Sequence, residues 1–294
     1  GEKLWSKQIG NKILGKINFI DTYKNKKFQA LFNTKDQLYL IDRNGNFVND
    51  FPKNLPFSTS MGHSLFDYNN NKNYRIIIVG NDNTLYNLNK KGENVKGWKY
   101  TKGKSRINQN PIHFSVNNKD YILHTTKDNQ IKLLARNGTD RTVFKITQPF
   151  STPVKISKNG ILYAITLENK LWIGNVSGST EIIEIADLNN YTKILAYNNG
   201  YYITNENSIS YVNSEKSKKI DIKLDTPVEE LSWVEGYITI TTKNNLYLIK
   251  EDKVVEGFPI ISESYFNISD IDNNGKINVV NIKNRSLYNY EIIN

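Results

Sequence analysis

Short apolar and aromatic segments, separated by turns rich in Asn, Asp, Gly and Lys, recur along the whole of this 294-residue chain. In each recurring segment the first apolar residue after the turn serves as an anchor for comparison. Successive anchors are 37 to 47 residues apart. The seven anchors are Leu38, Leu85, Ile131, Leu171, Ile209, Leu246 and Leu287. Each anchor begins a short run with β-strand composition, and no stretch shows the 3.6-residue period of an amphipathic helix.

Each anchor run is preceded by two further strand-like runs and, in six units, followed by a fourth. Seven units of four short strands at a period near 40 residues are typical of propeller blades. We therefore predict an all-β fold, a seven-bladed β-propeller of four-stranded antiparallel blades in a single domain over residues 1–294. The predicted blades lie near residues 14–51, 64–100, 111–146, 153–185, 191–223, 227–258 and 265–292.

The seventh unit has no fourth strand of its own. Residues 3–9 form a strand-like run that belongs to no unit and resembles the fourth-strand run 95–100. We predict that this N-terminal strand completes the last blade, which would remove the exposed edges of an open sheet.

Composition narrows the classes of function. The chain has no Cys, which excludes disulfide scaffolds, thiolate metal sites and a Cys nucleophile. No apolar run is long enough to span a bilayer, so no direct membrane span is predicted. The net charge is +10, but the lysines are scattered and form no basic stripe. This distribution does not favour nucleic-acid binding.

Two family resemblances appear at particular residues. Residues 85–98, Leu-Tyr-Asn-Leu-Asn-Lys-Lys-Gly followed by Trp98, resemble a PQQ-like (quinoprotein-like) repeat. Residues 270–280 resemble the FG-GAP/VCBS motif of integrin-like propellers. Both resemblances imply a propeller fold, as in WD40 and PQQ-like repeat proteins, without the cofactor site of the quinoproteins. PQQ-like propellers that have lost the cofactor include outer-membrane assembly lipoproteins, although these have eight blades.

The FG-GAP-like segment contains the sharpest candidate site. Asp270, Asp272, Asn274 and Asn278 place side-chain oxygens around a Gly-containing loop, as Ca2+ requires. The alternative is an Asx-rich hairpin turn whose side chains satisfy its own backbone. No other cofactor is predicted.

Enzymatic motifs are sparse. No Gly-x-Ser-x-Gly elbow, Walker-type loop or His-Glu-x-x-His motif occurs. His113 and His124 fall in neighbouring predicted strands, in which we expect no Asp or Glu to orient either ring. The sequence therefore predicts that the protein is not an enzyme.

The connections between units offer a second candidate site. Two of them are long, residues 52–63 and 101–110, and both are expected at the same end of the blades. They would form a patch of apolar and basic side chains suited to an acidic partner. The predicted partner-binding residues are Phe57, Met61, His63, Lys102, Lys104 and Arg106. The alternative is that these are ordinary solvated loops.

Together these features predict a non-catalytic protein-interaction scaffold, a monomeric module of a larger bacterial cell-envelope protein. We expect an extracytoplasmic location, in the periplasm or at the cell surface, and a protein partner docked through one propeller face. The alternative function is a ligand-binding propeller for carbohydrate or another small molecule, with or without Ca2+.

Overall fold

The computed structural model describes residues 3–146, 148–185, 188, 192–205, 207–213, 218–263, 266–271 and 274–292. These residues form 27 β-strands in seven antiparallel sheets. They contain no helix, and hence none with the length and hydropathy needed to cross a membrane. Contacts divide the chain into two compact units, Gly1–Thr147 with Val176–Gly178 and Gln148–Asn175 with Ser179–Asn294. The prediction of a single domain stays a prediction.

The first unit contains three sheets whose strands pair in chain order. The first sheet is β1 (Leu14–Ile20), β2 (Gln29–Asn33), β3 (Gln37–Ile41) and β4 (Lys53–Asn54). The second is β5 (Ser64–Phe66), β6 (Arg75–Val79) and β7 (Leu85–Asn89). The third is β8 (Ile112–Val116), β9 (Lys119–Thr125), β10 (Ile131–Leu134) and β11 (Asp140–Phe144).

The second unit contains four sheets. The fourth sheet is β12 (Lys155–Ile156), β13 (Ile161–Ile165), β14 (Leu171–Asn175) and β15 (Thr180–Ile183). The fifth is β16 (Ile194–Tyr197), β17 (Gly200–Asn205), β18 (Ser208–Asn213) and β19 (Lys218–Lys223). The sixth is β20 (Val228–Val234), β21 (Tyr237–Thr242), β22 (Asn245–Lys250) and β23 (Lys253–Val254), with β24 (Ile260–Ile261) also paired to β22. The seventh is β25 (Phe266–Ser269), β26 (Asn278–Lys283) and β27 (Ser286–Glu291).

Within each unit, consecutive sheets pack face to face through buried apolar side chains. All seven anchors lie in strands, as predicted. Five of them share a buried cluster with side chains of the sheet that follows: Leu38, Leu85, Leu171, Ile209 and Leu246. Leu287 is 72% exposed.

The predicted fourth strands form only in part. β11, β15, β19 and β23 overlap the predicted runs. In the first two sheets the runs 46–51 and 94–100 contribute only the isolated bridges of Phe47 with Ile41 and of Asn94 with Leu88. Asn49 and Gly97 have φ of 49° and 78°, in the left-handed region, which interrupts an extended strand. The second sheet therefore has three strands.

The N-terminal run differs from its prediction. Residues 3–9 are assigned no strand, and the last sheet has three strands among the described residues. The segment contacts the first sheet, where the Trp5 indole N–H donates to the Arg43 carbonyl at 2.9 Å. The Trp5 ring lies over Gly45, where a Cβ would fall 2.9 Å from Cδ2.

The same arrangement occurs once more in the first unit. Gly138 closes an Arg-Asn-Gly turn like that of Gly45, and a Cβ there would fall 3.1 Å from Cδ2 of Trp98. The neighbouring Lys99 amide donates to the Asn137 carbonyl at 2.7 Å. An indole over an Arg-Asn-Gly turn is thus a repeated packing feature of these sheets.

Replacing a buried side chain between two sheets tests the face-to-face packing. Ile78 is fully buried, whereas Ile17 is 48% exposed. We expect Ile78→Ala to lower the free energy of unfolding by about 2–5 kcal/mol. Ile17→Ala should lower it by less than about 1 kcal/mol. Urea unfolding with an unchanged m-value measures both, and equal losses would contradict the assignment of the core.

The Gly138 turn gives a second test. Gly138→Ala places a Cβ 2.9 Å from the Tyr100 backbone nitrogen at a φ of +85°, whereas Gly257, at +83°, has no atom within 4 Å of the added Cβ. Gly257→Ala should cost only the left-handed strain of about 1–2 kcal/mol. Gly138→Ala should lower the thermal midpoint further, and equal midpoints for the two variants would refute the close approach.

Candidate functional site

Loops and hairpin turns of the first unit meet at one end of its three sheets. We call this surface the loop face, defined as loops 52–63 and 101–110 with the hairpin turns 34–37, 80–84 and 126–130. Each hairpin turn joins the second and third strands of its sheet, so the antiparallel order brings all three turns to the same end. The sequence predicted the two loops at this end, and the hairpin turns complete the surface.

Hydrogen bonds fix the loops to the turns. The Asn81 amide donates to the Ser58 carbonyl at 2.8 Å, and the Lys127 amide donates to the Arg106 carbonyl at 2.8 Å. The Arg106 guanidinium donates to the Ser60 hydroxyl at 2.7 Å, which links the two long loops directly. These contacts hold the surface in one conformation.

The basic and the acidic side chains of the loop face differ in the contacts that they make. Five of its six basic side chains are exposed and form no ion pair within the described part of the chain: Lys35, Lys102, Lys104, Arg106 and Lys127. The sixth, Lys53, is half-buried and pairs with Asp50 at 3.4 Å. The acidic side chains of the loop face, although exposed, are bound within their own turns. The Asp82 carboxylate accepts hydrogen bonds from the Tyr86 hydroxyl at 2.9 Å and the Thr84 hydroxyl at 3.0 Å. The Asp128 carboxylate accepts one from the Thr126 hydroxyl.

These hydrogen bonds keep the acids ionised. Burial raises the pKa of Asp82, but the hydrogen bonds from Tyr86 and Thr84 outweigh it and hold the pKa below its ordinary value. The Thr126 hydrogen bond lowers the pKa of Asp128 in the same way. Because the carboxylates are directed into their turns, the lysine and arginine side chains remain available to an external anion.

The other three residues predicted for this surface are half-buried, as Phe57 and Met61 are, or buried, as His63 is. Phe57 stacks on Tyr86 with ring centroids 3.5 Å apart, and Met61 packs against the cluster shared by the second and third sheets. His63 is buried, with its amide 2.8 Å from the Asn33 side-chain oxygen. Thus Lys102, Lys104 and Arg106 stand on the surface, whereas Phe57, Met61 and His63 support it. Partner binding by these residues stays a prediction.

The predicted calcium loop is a hydrogen-bonded turn in the residues described. The Asp270 carboxylate accepts the amides of Asn274 at 3.1 Å and Gly275 at 2.9 Å. The side-chain oxygen of Asn278 accepts the Ile271 amide at 3.2 Å, and that of Asn274 accepts the Lys276 amide at 2.8 Å.

Asp272 lies outside the described residues. The described part of the chain holds no cluster of three or more His, Cys, Asp or Glu side chains suited to a metal. The calcium site stays a prediction.

The corresponding turns of the first and second sheets have the same geometry. Asp21 accepts the amides of Asn25 at 2.9 Å and Lys26 at 3.1 Å, and Asp67 accepts those of Asn71 at 3.0 Å and Lys72 at 2.8 Å. The Lys72 ammonium also pairs with the Asp21 carboxylate and lowers its pKa. An ammonium group therefore occupies the position beside this carboxylate.

Sequence reasoning missed an acidic partner of His113. Asp120, in β9, accepts a hydrogen bond from the His113 ring at 2.7 Å, from the Ser115 hydroxyl at 2.8 Å and from the Arg136 guanidinium at 2.5 Å. The expectation that no acid orients His113 was wrong, because the hairpin register places Ser115 opposite Asp120. His124 instead contacts the Tyr100 hydroxyl at 2.6 Å, so the two histidines do not pair.

This cluster does not have the geometry of a catalytic triad. His113 and Ser115 bind the same oxygen of Asp120, so the histidine orients no serine hydroxyl toward a substrate. A Ser-His-Asp triad needs the histidine between the other two residues.

No protein-family model matches the chain, and no curated protein matches it. Solved structures do resemble it. BamB from Moraxella catarrhalis has a TM-score of 0.59 at 13% identity, covering 98% of this chain and 88% of that one. BBS1N in complex with ARL6DN has a TM-score of 0.61 at 8% identity, covering 97% and 93%. Dihydro-heme d1 dehydrogenase NirN in complex with DHE has a TM-score of 0.64 at 11% identity, covering 95% and 64%.

The seven sheets and these β-propeller structures decide the fold. The chain is a seven-bladed β-propeller. The predicted fold class and the resemblance to PQQ-like propellers are confirmed. At identities below 25% the likeness shows the fold alone, and propellers carry many unrelated functions. The function of this propeller must therefore be argued from its own side chains.

Buried His63 makes the stability of the propeller sensitive to acid. Burial lowers its pKa to about 4, against ~6.5 for an unperturbed histidine. Because the unfolded chain binds this proton more tightly, the stabilisation is complete above about pH 6.5 and is lost as the pH falls toward 4. Between pH 7 and 5, His63→Gln should therefore lose less unfolding free energy than the wild type, by about 1–2 kcal/mol.

Urea unfolding at the two pH values measures this difference. Lys35→Gln, which changes an exposed lysine, should keep the wild-type dependence. A wild-type dependence in His63→Gln would show that His63 is not the group that titrates.

Proposed function

We propose that this propeller is a non-catalytic protein-interaction scaffold that docks an acidic partner through the loop face. The proposal rests on a difference between the basic and the acidic side chains of that surface. Exposed lysine and arginine side chains lack ion-pair partners among the described residues, while neighbouring carboxylates are bound within their turns. Such a surface presents a positive potential to an approaching protein.

The fixed conformation of the loops supports the same proposal. Arg106 joins loop 101–110 to loop 52–63, and the Asn83 side chain donates to the Lys104 carbonyl at 3.1 Å. Phe57 and Met61 hold loop 52–63 from below through contacts with the core. A surface that is ordered before binding loses less conformational entropy when the partner docks.

The structural comparisons are compatible with a docking role. BBS1N has the same fold and is seen in a complex with ARL6DN, whereas NirN is a dehydrogenase in complex with DHE. The fold alone thus allows either class. In this chain the Ser115, His113 and Asp120 arrangement lacks a nucleophile–base pair, which favours the scaffold over an enzyme.

We further propose that the propeller is a module of a larger cell-envelope protein. The absence of Cys and the PQQ-like and FG-GAP-like repeats support an extracytoplasmic setting. Likeness to BamB adds only the fold.

Charge reversal on the loop face tests the docking proposal. We expect Lys102→Glu, Lys104→Glu and Arg106→Glu together to abolish capture of a stoichiometric partner from a solubilised envelope fraction. With the purified partner, affinity should fall at least about tenfold, and wild-type binding should weaken as salt rises.

A matched variant reverses three exposed lysines in turns between other strands, Lys24→Glu, Lys91→Glu and Lys158→Glu. This variant should retain the partner. Equal loss from both variants would indicate a nonspecific charge effect, and an unchanged affinity in the loop-face variant would refute docking through this surface.

A further inference from the structure

A polar cleft opens in the first unit at the turns between the first and second strands of the second sheet and between the third and fourth strands of the third. Its volume is about 250 Å³. Tyr68, Asn69, Arg75, Lys96 and Arg136 are among its lining residues. No carboxylate lines it in the part of the chain that the structure describes.

Both arginines are held in place with hydrogen-bond donors to spare. Arg136 pairs with Asp120 through Nε at 2.5 Å and donates through Nη2 to the Tyr68 carbonyl and the Asn69 side-chain oxygen at 3.3 and 2.9 Å. Arg75 donates through Nη1 to the carbonyls of Asn73 and Tyr74 at 3.1 and 3.2 Å. Since a guanidinium has five N–H donors, Nη1 of Arg136 and both Nη2 and Nε of Arg75 retain donors for a ligand.

Three asparagines of the cleft use their side-chain oxygens for hydrogen bonds within the protein. The side-chain oxygen of Asn69 accepts from Arg136, that of Asn71 accepts the Asn73 amide at 3.1 Å, and that of Asn137 accepts the Thr139 amide at 3.1 Å. With the oxygens committed, each side-chain NH2 group is left as a donor. No partner for these NH2 groups occurs within the described ranges.

Tyr68 adds a further unsatisfied group. Its hydroxyl is buried and has no hydrogen-bond partner among the residues described. A buried polar group without a partner is unusual in a folded protein and indicates a missing one. Asp120 compensates the charge of Arg136, and Asp67 is bound by the amides of its own turn, so Arg75 and Lys96 are the lining cations that have no ion pair among the described residues.

We propose that this cleft binds the oxyanion of a small hydroxylated ligand, a sugar acid or a sugar phosphate. Three cationic side chains and several oriented N–H groups converge on it, and none of these groups accepts a hydrogen bond. Arginine donors match carboxylate and phosphate oxygens in geometry and charge. The volume is below the ~300–1,000 Å³ of a drug-sized pocket and suits a ligand of one sugar ring.

The test measures binding of D-glucuronate, glucose 6-phosphate and neutral glucose to the intact propeller by calorimetry and by amide chemical shifts. At least one anion should bind saturably, with shifts at Tyr68 and Arg136 and an affinity that falls as salt rises. Glucose should bind at least about tenfold more weakly. Binding of glucuronate alone identifies a carboxylate ligand, and binding of glucose 6-phosphate alone identifies a phosphate ligand.

Two variants locate the site. Arg75→Gln with Lys96→Gln leaves the buried Asp120 cluster intact and should weaken anion binding at least about tenfold. Lys91→Gln with Lys99→Gln removes the same charge from exposed lysines outside the cleft lining and should leave affinity within about twofold. Thermal unfolding confirms that both variants are folded.

Equal binding of glucose, equal loss in the two variants, or no saturable binding of either anion would overturn the proposal. The loop-face variant should bind the anion with the wild-type affinity. Failure of one proposal can therefore be distinguished from failure of the other.

Discussion

The burial of one sheet against the next is the constraint on which the rest of this structure depends. Each sheet alone has too few strands to bury its apolar residues. Anchors such as Leu38 and Leu246 are excluded from water by the sheet that follows them. Because the sheet faces pack against one another, both binding sites proposed here lie at turns and loops at the ends of the sheets.

The parts of the fold that were predictable follow from this constraint. A buried anchor must be apolar and must recur with each sheet, so its period is visible in the sequence. The fourth strands are less constrained, and single left-handed residues such as Gly97 interrupt them. The pairing of Asp120 with His113 depends on the register of one hairpin, which composition does not specify. Likewise, the inward position of Phe57 results from stacking on Tyr86, a contact distant in sequence.

The net charge of +10 is informative only once the partners of the acids are known. Asp82 and Asp128 are bound within turns of the loop face, and Asp21 pairs with Lys72. Asp120 holds Arg136 beside the cleft. A carboxylate in an ion pair compensates its partner's charge, so the excess positive charge remains on side chains that have no ion pair among the described residues, such as Lys102, Arg106 and Arg75. The two proposed binding surfaces depend on such side chains, although the sequence contains no basic run.

Trp5 and Trp98 pack in the same way, each against the Arg-Asn-Gly turn of a different sheet. Trp98 precedes the third sheet and covers its Arg-Asn-Gly turn, while Trp5 precedes the first sheet and covers the equivalent turn. In both cases only glycine leaves room for the ring, because a Cβ would lie about 3 Å from it. The resemblance between residues 3–9 and 95–100 therefore reflects a shared packing task, the covering of a turn.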